Sequence, residues 1–155
     1  MFFVSDTQAN RHKLIRSFHF KSQDMIAVIL AAVDFEWTVR RAILALGTSS
    51  TKEIRKSLET SWGLEKYKDI WKDEVTIRLK VTLVQVIPHW GELKELFKFR
   101  DRLVHGAVGV ISRDAAHRSV ESILRASREL EAFAVMKEGS LYRHIVRRKA
   151  RDLRQ

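Results

Sequence analysis

Phe99-Arg100-Asp101-Arg102-Leu103-Val104-His105-Gly106 closes a helical stretch and sets an arginine where the pattern asks for a core residue. Leu93, Leu96, Phe97, Leu103 and Val104 follow the i, i+3, i+4, i+7 register of one buried stripe, and Arg100 completes it. At about 100° per residue Arg100 falls at the centre of the stripe, with Leu96 and Val104 about 40° to either side. A permanent charge there is costly unless the guanidinium is paired or faces a wet pocket. Arg102 lies about 200° round the helix and is expected to be exposed. The stripe therefore marks a helix packed in a helical core, with Arg100 as its exceptional member.

Helix signals continue on both sides. The chain has one proline, Pro88, and six glycines in 155 residues, so few positions can break a long run. A helix is expected from after Ser22 to about Leu46, begun by Ser22 or Asp24 and stopped by Gly47. It is apolar nearly all round, as a central helix would be. Ser50 or Thr51 should cap a short amphipathic helix reaching Trp62. After Gly63 a helix is expected from Leu64 to Ile87. Its second half alternates (Val75, Ile77, Leu79, Val81, Leu83), which also fits a strand, but the helical surroundings favour helix. Trp90 to about His105 forms the next helix, and Gly106 and Gly109 form the turn after it. Ser112 should cap a helix from Arg113 to Lys137, with Val120, Ile123, Leu124, Ser127, Leu130 and Ala134 on its buried stripe. Gly139 stops it, and Ser140 opens a basic terminal helix over 140–155. The reading is all-α: antiparallel helices joined by short loops in a bundle, one domain over 1–155.

The composition narrows the partners. A formal charge of +10 favours a polyanion, nucleic acid first and an anionic membrane surface second. Six basic residues lie between Arg143 and Gln155 against one acid, Asp152. The absence of cysteine removes disulfides and thiolate metal sites. The N-terminal stretch lacks the basic-then-apolar layout of a signal peptide, and Asp34, Glu36, Arg40 and Arg41 interrupt the longest apolar run. A cytoplasmic protein without a membrane span is expected. The histidines show no helical metal-ligand spacing, and no phosphate-cradling glycine loop or nucleophile elbow is present, so neither metal nor cofactor is expected. Trp37, Trp62, Trp71 and Trp90 read as packing residues, with base stacking on Trp62 or Trp71 as the alternative.

Arg100, Asp101 and His105 are the candidate catalytic residues. Asp101 and His105 stand at i, i+4, so the carboxylate can accept from one ring nitrogen of His105 and leave the other free. His105 lies about 140° from Arg100 on an ideal helix, so the two converge only if the helix frays or a second subunit contributes. A histidine as acid or base beside an arginine that clamps phosphate suits phosphodiester chemistry without metal. Glu36 and Arg40 also stand at i, i+4, on a face shared with Ile29, Val33 and Ile43. Either Glu36 reaches across to Arg100 and supports the site, or Glu36 and Arg40 form their own ion pair.

The run Arg100-Asp101-Arg102-Leu103-Val104-His105-Gly106 closely resembles the signature of HEPN domains: an arginine, a polar residue, and a histidine after four to six intervening residues. Four intervene here, Asp101 fills the polar slot, and two apolar residues precede the histidine. The resemblance implies an all-helical fold and a metal-independent endoribonuclease that works as a homodimer, as toxin or phage-defence effectors do, with a neutralising protein partner in some cases. It implies His105 as acid or base and Arg100 as the phosphate clamp, and the basic charge then points to Arg102 and to Arg147, Arg148, Lys149 and Arg151 of the terminal helix as holding the RNA backbone. The alternative is a non-catalytic module of the same kind that binds RNA, a nucleotide or a protein.

Overall fold

A computed structural model describes residues 7–107, 109–139 and 141. The expected basic helix over 140–155, with Arg147, Arg148, Lys149 and Arg151, lies outside the described residues apart from Leu141. The fold is all-helical, and no strand occurs among the described residues. The helices are α1 (Gln8–Phe20), α2 (Asp24–Leu46), α3 (Thr51–Glu59), α4 (Leu64–Trp71), a π-helical segment (Lys72–Thr76), α5 (Ile77–Leu79), α6 (Leu83–Val86), α7 (Trp90–Val104) and α8 (Arg113–Glu138). Among the described residues, no helix is long and apolar enough to cross a membrane.

The contacts gather into two compact units: the described parts of Met1–Glu36 with His89–Arg128, and those of Trp37–Pro88 with Glu129–Gln155. The long helices α2 and α8 each contribute to both.

The first unit contains α1, a helix absent from the sequence reading. Thr7 starts it, its hydroxyl accepting from the Asn10 N–H, and Arg11, His12, Ile15 and His19 form its buried face. Ser22 does not cap α2 as expected. It takes the left-handed conformation (φ 59°) that ends α1, while the Gln23 N–H returns to the Phe18 carbonyl. Two polar contacts then fix α1 antiparallel to α2: His19 Nδ1 lies 2.6 Å from Asp24 Oδ1 beside the turn, and Arg11 Nε bonds Asp34 Oδ1 at 2.7 Å at the far end. α1 is also antiparallel to α8, since Arg16 grips Glu121 with both ends of its fork while Gln8 donates to the Ser127 carbonyl. Phe35 of α2 meets Phe97 of α7 edge to face at 5.7 Å.

In the second unit the capping box expected near Ser50 is present, with Ser50 and Glu53 satisfying each other's backbone donors at the start of α3. Gly47 follows the last residue of α2 at a point with no room for a side chain. A Cβ there would stand 2.7 Å from the Ile43 carbonyl and 2.5 Å from Ile54 Cδ1. The turn after it is held by Glu74, whose carboxylate accepts from the Thr48 and Ser49 N–H groups at 3.1 and 2.9 Å.

The helix expected from Leu64 to Ile87 is broken. It runs through α4, the π-helical segment and α5, and stops at Lys80, which is left-handed (φ 54°). The Val81 carbonyl then serves side chains instead of a helical N–H, accepting from Trp71 Nε1 at 3.0 Å and Thr76 Oγ1 at 3.1 Å. Thr82 and Gln85 cap α6 as a fresh start. The alternating residues do not form a strand: Val75 and Leu83 are buried, while Ile77 is about half exposed. The buried stripe expected on α8 is present from Val120 to Ala134.

Candidate functional site

α7 positions the site. Trp90, Leu93, Phe97 and Leu103 bury one face of this helix. Arg100 falls on that face, but its side chain keeps 22% of its exposure. The stripe ends before the helix does, because Val104 at the last turn is exposed. Arg100 Nη2 donates to Glu36 Oε1 of α2 at 2.6 Å, and Nη1 lies 3.1 Å from Asp101 Oδ1. The guanidinium also sits 5.1 Å from the Phe97 ring centre. Its Nε–H is buried and has no hydrogen-bond partner among the described residues. A charge on an apolar stripe has thus been paired on one side, with donor capacity left over.

His105 caps the C-terminus of α7, and its N–H returns to the Asp101 carbonyl at 3.0 Å. Gly106 follows at φ 70°, which a β-carbon would disfavour, and Ala107 N–H closes the turn on the Arg102 carbonyl at 2.8 Å. The imidazole is exposed. Its expected hydrogen bond to the Asp101 carboxylate is not formed, and that carboxylate lies on Arg100. A guanidinium one residue away is a stronger, charge-assisted partner than an imidazole a turn away. No hydrogen bond or ion pair joins Arg100 to His105. Arg102 is exposed, 5.8 Å from the Phe99 ring centre.

Glu36 and Arg40 take separate partners. Glu36 goes to Arg100 in the first unit. Arg40, in the second, donates from Nε to Tyr67 Oη at 3.0 Å and from Nη2 to the Ser61 carbonyl at 2.9 Å. Glu36 thus reaches across to Arg100, and no ion pair joins it to Arg40.

Sequence reasoning missed a buried polar cluster. Asp34 accepts from Arg11 at 2.7 Å and lies 2.9 Å from His12 Nε2, and all three side chains are almost wholly enclosed. Burial pushes the Asp34 carboxyl up, but the hydrogen bonds and charges of His12 and Arg11 outweigh it and hold its pKa below the usual carboxylate value. Such an enclosed group cannot meet a polymer substrate; its role is to join α1 to α2. The available signal was Asp34 itself, an acid in an apolar helix, together with Thr7 and the helical spacing of Arg11, Ile15 and His19. Among the described residues no group of three or more His, Asp or Glu is arranged to hold a metal ion.

No family model, curated protein or solved structure matches this chain.

Proposed function

We propose that this protein is a metal-independent endoribonuclease of the HEPN kind, acting as a homodimer. The observation that carries the reading is Arg100: a guanidinium on a core-facing stripe, fixed by Glu36 at 2.6 Å, still partly exposed, with an unused buried Nε–H. Five residues later the same helix ends on an exposed histidine.

In this reading His105 takes the proton from a ribose 2′-hydroxyl. The oxygen attacks the neighbouring phosphorus and the bond to the 5′-oxygen breaks. The products are a 2′,3′-cyclic phosphate and a 5′-hydroxyl, the latter protonated by a second copy of His105 across a two-fold axis. Arg100 stabilises charge on the phosphorane. Glu36 and Asp101 hold the guanidinium in place. Analysis of the cut ends tests the chemistry: cyclic phosphate and 5′-hydroxyl ends support it, and 5′-phosphate ends refute it.

A second reading rests on a specific contact. The Asp101 carboxylate lies on Arg100 and leaves His105 without the hydrogen bond that would orient it, which suits a non-catalytic module that binds RNA or a nucleotide. Binding that survives His105→Ala but not Arg100→Ala, without turnover in the wild type, would favour it.

A further inference from the structure

Arg11, Arg16, Arg78 and Arg100 each have a carboxylate partner. Arg40 does not. Its partners among the described residues are neutral oxygens, Tyr67 Oη and the Ser61 carbonyl, and two aromatic rings. The guanidinium carbon lies 4.7 Å from the Trp62 ring centre and 5.3 Å from that of Tyr67. Tyr67 is fully buried, so one side of this assembly is anchored in the core of the second unit. Trp62, on the other side, is 70% exposed. The hydrogen bond to the Ser61 carbonyl ties down the backbone just before the indole, and Gly63 at φ 89° turns the chain away after it.

A cation with no carboxylate partner among the described residues, held over one face of an otherwise exposed indole, has a specific complement. The other face of the indole offers a flat stacking surface whose loss of freedom has already been met by the fold. The cation offers charge and unused N–H donors to an anionic oxygen. A nucleotide supplies both counterparts, a π-face and a phosphate one sugar apart. The net charge of +10 favours a polyanion over an acidic peptide. The base must be unpaired to offer its face, which selects a single strand.

We infer that Trp62 and Arg40 form a single-stranded RNA contact, in which a base stacks on the Trp62 indole and its phosphate meets the Arg40 guanidinium. The choice of RNA as ligand rests on the ribonuclease reading, and the stacking chemistry does not depend on cleavage.

The test uses the full chain and an uncleavable ligand, a 2′-O-methyl adenosine oligonucleotide, with an abasic oligonucleotide of equal length as the charge control. Fluorescence and anisotropy titrations are run on the wild type, Trp62→Leu, Trp62→Phe and Arg40→Gln. The wild type should show quenching of indole emission that Trp62→Leu lacks. Trp62→Leu should bind about tenfold more weakly, and Trp62→Phe should retain most of the affinity. Arg40→Gln should lower the salt dependence by about one phosphate contact. Because Trp62 is 70% exposed, its replacement should leave the fold intact, as unchanged thermal unfolding of Trp62→Leu would verify. Equal binding by wild type and Trp62→Leu, or equal binding of the adenosine and abasic oligonucleotides, overturns the proposal. Since the ligand cannot be cut, inactivity at His105 leaves a positive result standing; cleavage by Trp62→Leu with unchanged binding removes this contact alone.

Discussion

Glu36 Oε1 and Arg100 Nη2, 64 positions apart in the chain, meet at 2.6 Å between α2 and α7. Each side chain keeps about a fifth of its exposure, 20% for Glu36 and 22% for Arg100, so the pair is neither sealed in the core nor a loose surface contact. One carboxylate thereby fixes the guanidinium that the catalytic reading depends on.

Replacing Glu36 with Gln keeps the shape and removes the charge. Partial solvent screening limits the loss of stability to about 1 kcal/mol. A double-mutant cycle with Arg100→Ala should return a coupling of about the same size in denaturant unfolding. RNA cleavage should fall further than stability does, since an unfixed guanidinium no longer meets the phosphorane in one place.

Asp34 contributes to acid sensitivity. Its folded-state pKa lies below the ordinary 3.8. The unfolded chain therefore takes up the proton first as pH falls. The stabilisation is fully present above the unfolded value and is lost as pH drops through the folded one. Stability should decline below about pH 5, and the decline should be shallower in Asp34→Asn. Asp34→Ala removes the carboxylate that the enclosed Arg11 and His12 side chains both meet and should cost about 3–5 kcal/mol, read as a lower denaturant midpoint.

Gly47→Ala should destabilise by about 1–3 kcal/mol, because the Ile43 carbonyl 2.7 Å from the new methyl is backbone and cannot step aside. The same substitution at Gly91, with nothing within 4 Å of the added carbon, should be neutral or stabilising inside α7. Thermal unfolding of the two variants separates lack of space from loss of glycine's freedom.

Much of the helical layout was legible because period and punctuation agree. α2 ends at Gly47, α3 begins at Ser50 with its capping box, α7 runs from Trp90 to Val104, and α8 carries its stripe from Val120 to Ala134. Two features were hidden for physical reasons. α1 buries charge as well as apolar surface, so a reading based on hydrophobic period passes over Arg11, His12 and His19. The break at Lys80 arises from Trp71 and Thr76 claiming the Val81 carbonyl, a tertiary contact that overrides local helix preference. At the site, phase alone singled out Arg100, and Glu36 was one of two alternatives. The pairing of Asp101 with Arg100 instead of His105 depended on side-chain competition that spacing does not encode.

The central claim is tested most directly by cleavage of a ribose-containing oligonucleotide in excess chelator, with wild type, Arg100→Ala and His105→Ala compared at equal folded concentration. The account predicts cutting by the wild type and a loss of about 100-fold or more in each variant. Cutting by His105→Ala at the wild-type rate, or wild-type activity only with a divalent ion, would contradict it.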